Sequence, residues 1–544
     1  MNKKTIGIII GAISLTIIYF SYNIILGFDS SQYIWLAEMF TPNLDFCNWA
    51  PIRSFVFPLG IFILNTIFGK NTTGLLIGTY IFYLAMLVAV FFMYKNTIQK
   101  TETNKINKAI YIICFFFFVA LNPIIFGFYH VLLTEFVSVT IAIIMSYLSW
   151  NWTKFDFKDN KIKYIIYTTV FSILVVCSWH LKQTYILTSI IPLIISILIS
   201  IIENFKKENI IQRLITFGIC IISLIISIIG WNYVLKVKNV KLDTSTSSEG
   251  LLGRTIMEGI SEYRAVPNKE EYKKENIELS DRITSEDKEK IISILNETSN
   301  EYKGFIMLDK GTYMNPTGNR KVIYTKEKDI SIGEGVGFVI KTLLQEPQTI
   351  LSSYFSNYLG ICDLYDVKVT TEYGNYYYID KKYNPEKITE INFLGYCAYR
   401  PSTNALDLPD YYIEYAREYI NNNDRMIKPI NDYMVEMTAP AKNLYRIVML
   451  LLPFLWLIKI IISVITRKSH NKEFRKTNHL IIILYTYAFG QMMMYTVLGS
   501  LMDRYALAPF TATLIAIILD IYTITRGRKD KNEKNSTNNK ETRK

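Results

Sequence analysis

Seven side chains in this sequence join an acid, a base or a cation to a position at the end of an apolar run. They are Asp29 in FDSSQYIWLAEMF, Arg53 in RSFVFPL, His130 and Glu135 in HVLLTEFVSV, His180 and Lys182 in SWHLKQTY, and Arg504 in GSLMDRYALAP. Two carboxylates can divide proton transfer between them, one accepting the proton and the other orienting the reacting group. Lysine and arginine suit an anionic leaving group such as a phosphate, arginine through its planar fork. The histidines carry no metal-ligand spacing. No cofactor is expected, and a divalent metal is left open.

Each residue also has a plainer reading. Asp29 followed by Gln32 matches a capping box for an amphipathic helix over 30–40, with Tyr33, Leu36, Ala37 and Phe40 on one face. Glu135 after Thr134 complements a helix N-terminus. Lys182 fits an interfacial lysine with its stem along apolar surface. Arg53 and Arg504 fit contacts to lipid phosphates, and His130 and His180 fit interfacial polar residues.

The elements that hold these residues are read from hydropathy. Half of the chain is apolar and 14% is aromatic, too much for a soluble domain of 544 residues. Long uncharged runs recur, and the chain is read as an α-helical polytopic membrane protein. The candidate spans are 5–26, 73–94, 109–123, 134–151, 163–179, 184–203, 211–235, 444–465, 480–500 and 505–525. The first follows MNKK without a small-residue cleavage site and is read as a retained anchor; at the helical rise its length of about 33 Å suffices to span.

The segment 53–69, RSFVFPLGIFILNTIFG, is apolar but short and holds Pro58. Charge decides its placement. If it does not span, the loops with Lys95, Lys100, Lys105 and Lys108, with Lys154, Lys158, Lys161 and Lys163, and with Lys206, Lys207 and Arg213 all face the cytoplasm. The loop from Arg467 to Lys476 and the basic tail join them, as the positive-inside rule requires. If it spans, the order inverts and nearly every basic loop faces outward. The expected topology therefore puts both termini in the cytoplasm and the seven residues above on one outer rim. The net charge of +12 belongs to these flanks, so nucleic acid is not an expected partner.

Four regions follow: a seven-helix membrane module over 1–235 with a juxtamembrane segment at 29–70, an extracytoplasmic α+β domain over 236–443, a three-helix module over 444–525, and a disordered basic tail over 526–544. Within the outer domain, 336–361 is apolar but broken by Lys341, Glu346 and Pro347, and is expected to lie along the membrane or pack on the domain. The six cysteines contain no CxxC pair; Cys362 and Cys397 both fall outside the cell and are free to pair or not. Lys459 and Asp520 lie at comparable depth in the inner halves of their spans, where they can pair.

The order of motifs resembles a known family. An acid follows the first span with a Tyr and an Ala after it (FDSSQYIWLAEMF), then comes RSFVFPLGIFIL, then Asn-Pro and Leu-Thr-Glu in LNPIIFGFYHVLLTE, then a basic residue before the sixth span, and finally DRYALAP. This is similar to the GT-C superfamily of membrane glycosyltransferases, in particular the branch of protein O-mannosyltransferases and lipid A aminoarabinose transferases. The likeness covers roughly residues 1–235 and the last three helices. It implies a GT-C-like fold, about ten transmembrane helices with outer juxtamembrane helices and the extracytoplasmic domain. Three departures stand out: Asp-Ser in place of Asp-Glu after the first span, Ser54 and Phe55 in place of prolines, and an outer domain unlike the mannosyltransferase β-trefoil.

What the resemblance implies is a cell-membrane enzyme that moves a sugar from a polyprenyl-phosphate donor to an extracytoplasmic acceptor, with inversion. Asp29 matches the family's catalytic acid and would be the base; Glu135 would orient it or the acceptor. Lys182, Arg504 and Arg53 would hold the phosphate, with His180 and His130 as further candidates for substrate contact. Its partners would be the lipid-linked sugar, membrane lipid and an acceptor glycan, lipid or protein. A transporter or flippase is the main rival, disfavoured because the midplane is nearly free of charge. A saccharide polymerase or ligase and a non-catalytic envelope protein are the others.

Overall fold

The structure is a computed structural model and describes residues 3–22, 24, 28–40, 46, 49, 53–203, 207–238, 306–308, 312–314, 332–345, 347, 351, 354–355, 358–359, 361–362, 430–466, 472–497 and 503–541. Some side chains within these ranges, including those of Asp29 and Arg504, are not described. Most of 236–443, with Cys397, and the loop 498–502 lie outside the described residues.

The described chain is helical. Its first part runs through α1 (Lys3–Phe20), α2 (Phe28–Glu38), α3 (Val56–Phe68), α4 (Thr72–Tyr94), α5 (Lys105–Phe115), α6 (Pro123–Phe128), α7 (Thr134–Trp152), α8 (Lys161–Leu181), α9 (Ile186–Ile202) and α10 (Lys207–Val237). A hairpin of β1 (Ile306–Leu308) and β2 (Thr312–Met314) and the helix α11 (Ile332–Gln345) follow. The last part is α12 (Ile430–Thr466), α13 (Lys472–Val497) and α14 (Leu507–Glu541).

Six helices are long and apolar enough to cross a bilayer, falling at 72–99, 161–181, 183–202, 207–237, 443–465 and 507–526. The chain is thus a helical protein with the character of a membrane-embedded one. The other four expected spans fall on α1, on α5 with its π-turn Phe116–Ala120, on α7 and on α13. For α7 the reason is visible. Nearly every residue from Thr134 to Ser149 is buried against protein, so its interior carries Thr134, Glu135, Ser138, Thr140, Ser146 and Ser149 where lipid-facing positions would need apolar groups.

Local signals set the helix ends. The Asn122 side chain accepts from the backbone N–H groups of Ile124 and Ile125, and Pro123 opens α6. The Asn-Pro pair is therefore an N-cap followed by a residue whose missing N–H costs nothing. Asn71 caps α4 in the same way through the Gly74 N–H. At the other end of α7, buried Arg213 from α10 donates to the carbonyls of Trp152, Thr153 and Phe155. Within the bundle Lys459 of α12 meets Asp520 of α14 at 2.6 Å, the pairing that their common depth suggested.

Two helices overhang their neighbours. The Tyr19 hydroxyl, one residue from the end of α1, bonds Thr79 of α4, and Phe136 at the start of α7 packs on Phe82. The first seven to ten residues of α4, about 10–15 Å at the helical rise, therefore stand beyond α1 and α7. Similarly His180 at the end of α8 meets Ser227 of α10, which continues ten residues, about 15 Å, to Val237.

Described residues of α2, of the connection after it and of α3 pack on these overhangs. Leu36, Met39, Phe46 and Trp49 pack on Leu235 of α10, with Trp231 beside them. The helix α3 turns back at Gly69, whose φ of 75° suits glycine, and lies antiparallel on α4. Phe57 touches Phe136, Leu64 fits against Gly78, and Phe68 against Gly74. Thirteen residues make α3 about 20 Å long, short of a bilayer's hydrocarbon core.

Candidate functional site

Glu135 opens the central helix α7, which packs against α4, α8, α9, α13 and α14. Only 4% of it is exposed. Its neighbour Thr134 donates to Glu135 Oε2 at 3.4 Å and lies 3.4 Å from the Tyr185 hydroxyl. Tyr185 ends the short 3-10 turn Gln183–Tyr185 that joins α8 to α9. Lys182 immediately precedes that turn, and its ammonium lies 3.4 Å from the ring centroid of Tyr505 and 5.7 Å from that of Tyr185. Tyr505, in the 3-10 turn Asp503–Ala506, stacks on Tyr495 of α13 at 5.3 Å.

A carboxylate and an ammonium thus reach one cluster from different elements, linked by Tyr185. Among the described residues the Lys182 ammonium has ring faces as partners, where a carboxylate would have neutralised it. Ring faces attract a cation without cancelling its charge, so it stays available to an anion.

The start of α2 is drawn to the same place. The Ser30 hydroxyl donates to the Leu132 carbonyl at 2.8 Å, two residues before α7 begins. Asp29 precedes Ser30 in the first turn of α2. Arg53 donates from Nε to Gln32 Oε1 at 2.8 Å and from a terminal nitrogen to the Tyr33 hydroxyl at 3.1 Å. Gln32 and Tyr33 stand three and four residues after Asp29, so the guanidinium sits on the helix face that includes position 29. Gln32 gives its carbonyl oxygen to Arg53, the atom a capping box would have used on the helix N-terminus.

The two histidines make their own hydrogen bonds within the fold. His180 bonds Ser54 through Nδ1 at 2.6 Å and Ser227 through Nε2 at 3.0 Å, and packs 4.7 Å from the Phe55 ring. It fastens the chain before α3 to α8 and α10. His130 is fully buried between the carbonyls of Phe126 and Tyr19, each 3.0 Å away, and joins the ends of α6 and α1. Burial pushes its pKa down to about 4 against the upward pull of the two carbonyls. Both histidines therefore have their ring nitrogens engaged inside the fold.

Three residues of the cluster carry chemistry that the sequence did not single out: Thr134, Tyr185 and Tyr505. Each lies within three positions of a predicted residue, namely Glu135, Lys182 and Arg504. Adjacency to an ionisable residue at the end of an apolar run was the available signal. Arg504 itself belongs to the turn that presents Tyr505. Among the described residues no three His, Cys, Asp or Glu side chains gather as a metal site would require. Set beside known proteins, the chain matches no family model, no curated protein and no solved structure.

Proposed function

We propose that this chain is a membrane glycosyltransferase of the GT-C kind, moving a sugar from a polyprenyl-phosphate donor to a hydroxyl on an extracytoplasmic acceptor. The observation that carries the reading is that a buried carboxylate, Glu135, through Thr134, and an ammonium backed by ring faces, Lys182, both connect to Tyr185. Orienting the acceptor and stabilising the departing anion are two demands of glycosyl transfer from a phosphate, and Glu135 and Lys182 are linked through Thr134 and Tyr185 at the end of a bundle of membrane character.

In the proposed reaction the acceptor oxygen attacks the anomeric carbon while its proton passes to Asp29. The bond from that carbon to the phosphate oxygen breaks, and its electron pair leaves with the polyprenyl phosphate. Direct displacement inverts the anomeric centre. Lys182 and Arg504 stabilise the departing phosphate, and Arg53 holds the face of α2 that carries Asp29. Glu135, fixed by Thr134, orients the acceptor. A carboxylate at this rim and not at the midplane matches a donor whose phosphate stays at the bilayer surface while its tail lies in lipid.

The test is transfer of labelled sugar from a panel of short-chain polyprenyl-phosphate sugars by the purified full chain in lipid. Asp29→Asn and Glu135→Gln should each lower turnover by about 10²-fold or more with melting temperatures held near that of the parent. Lys182→Met should lower it as well. Parent-like turnover in both carboxylate variants would sink the assignment, and so would a parent chain that consumes no member of the panel.

A further inference from the structure

The segment from α11 towards α12 presents an apolar face that nothing described in the protein covers. Val336, Ile340, Leu343 and Leu344 of α11 are 42%, 52%, 40% and 79% exposed, and Leu351 and Phe355 further on are 62% and 65% exposed. Leu351 and Phe355 are helical too. Steps of four and of three or four residues keep Val336, Ile340, Leu343 and Leu344 on one side of α11, and Leu351 and Phe355 stand one helical turn apart further on. Exposed Lys341 stands at the margin of that face, where a lysine reaches polar headgroups with its stem along apolar surface.

The end of this segment is pinned to α12. Tyr358 donates its hydroxyl to the Met449 carbonyl at 2.5 Å, and Tyr445 donates to the Ile361 carbonyl at 2.8 Å. The first bond has a local cause. Met449 lies four residues before Pro453, which has no N–H to return to that carbonyl, so a side-chain donor takes its place. Tyr358, Ile361 and Cys362 are buried in this joint.

The joint also fixes a depth. Met449 lies six residues, about 9 Å, inside the apolar stretch of α12 that begins at Asn443. At that level α12 turns its own exposed apolar face outward, with Ile447 at 57%, Leu451 at 44% and Phe454 at 62%. Tyr358 continues the spacing of Leu351 and Phe355, so their apolar side adjoins the joint, which lies at the level of the exposed apolar face of α12.

We propose that α11, with Leu351 and Phe355 beyond it, lies in the bilayer interface at the Glu135 end, with Val336, Ile340, Leu344, Leu351 and Phe355 in the acyl region of that leaflet. The occupant of the apolar face is lipid, because the face continues the belt that α12 gives to lipid and is held at the same depth. The segment thereby ties the chain between α10 and α12 to the membrane surface. This inference stands apart from the glycosyltransferase reading.

A fluorescent amino acid placed singly at Leu344, Leu351 or Lys341 of the full chain in proteoliposomes tests it, with Phe454 as the lipid reference. Emission at 344 and 351 should be blue-shifted, lost to nitroxide-labelled lipids as at 454, and insensitive to aqueous iodide. Position 341 should respond to both quenchers. Iodide quenching at 344 and 351 would overturn the proposal by placing the face in water. Protection from both quenchers would overturn it as well, by assigning the face to other residues of this chain or to a second copy.

Discussion

His130 shows how one residue's surroundings translate into a measurable response. A neutral imidazole can donate to only one of the carbonyls of Phe126 and Tyr19, and a charged ring could serve both. Burial nevertheless prevails and holds the ring neutral down to about pH 4. As pH falls below the ordinary histidine value near 6.5, the unfolded chain takes up a proton that the folded chain refuses. Folding then loses up to about 1.4 kcal/mol per pH unit from this residue until the folded pKa is reached. Melting temperatures of parent and His130→Gln in detergent should therefore converge between pH 7 and pH 4. Parallel curves would place the slope on other groups.

At the scale of elements, the contact of α3 with α4 determines where the site can lie. The sequence argument kept 53–69 out of the spanning set on charge alone, and the structure supplies a thirteen-residue helix folded back on the overhang of α4. The fold-back depends on small residues. A Cβ at Gly78 would overlap the Leu64 side chain, and one at Gly74 would overlap Phe68. Gly78→Ala should accordingly cost about 1–3 kcal/mol by displacing the Leu64 side chain from its seat on α4. Leu64→Ala in the same chain should recover part of that loss in thermal melts, through coupling between touching residues. Simple additivity of the two changes would show that α3 does not bear on α4 at this point.

For the whole molecule, the open property is which end of the bundle faces out, and the charge asymmetry of the loops is the argument for it. Single cysteines in the 95–108 loop, within a cysteine-free chain in intact cells, should be shielded from an impermeant thiol reagent until the membrane is permeabilised. Labelling in intact cells would put that loop outside and remove the proposed site from the extracytoplasmic face. Among the described residues Lys459 of α12 and Asp520 of α14 form an ion pair with the lysine buried, so losing the aspartate alone would leave that charge uncompensated.

Much of this arrangement was legible in the chain. Uncharged runs fix helices because no water is available inside a bilayer to satisfy an open backbone. Asn71 and Asn122 mark helix starts through local hydrogen bonds, and loop lysines bias orientation without reference to tertiary contacts. Glu135 and Lys182 could be picked out because charge is scarce near apolar runs and so conspicuous. Tertiary structure decided what depends on residues far apart in sequence. It placed Ser30 against Leu132, Lys182 over Tyr505, and His180 between Ser54 and Ser227, pairings that no local pattern encodes. It also gave the histidine ring nitrogens their partners, because a ring nitrogen's role is set by whichever buried polar group the packing brings to it. The hydropathy of α7 understated its place at the centre of the bundle for the same reason: a helix wrapped by protein answers to its neighbours, not to lipid.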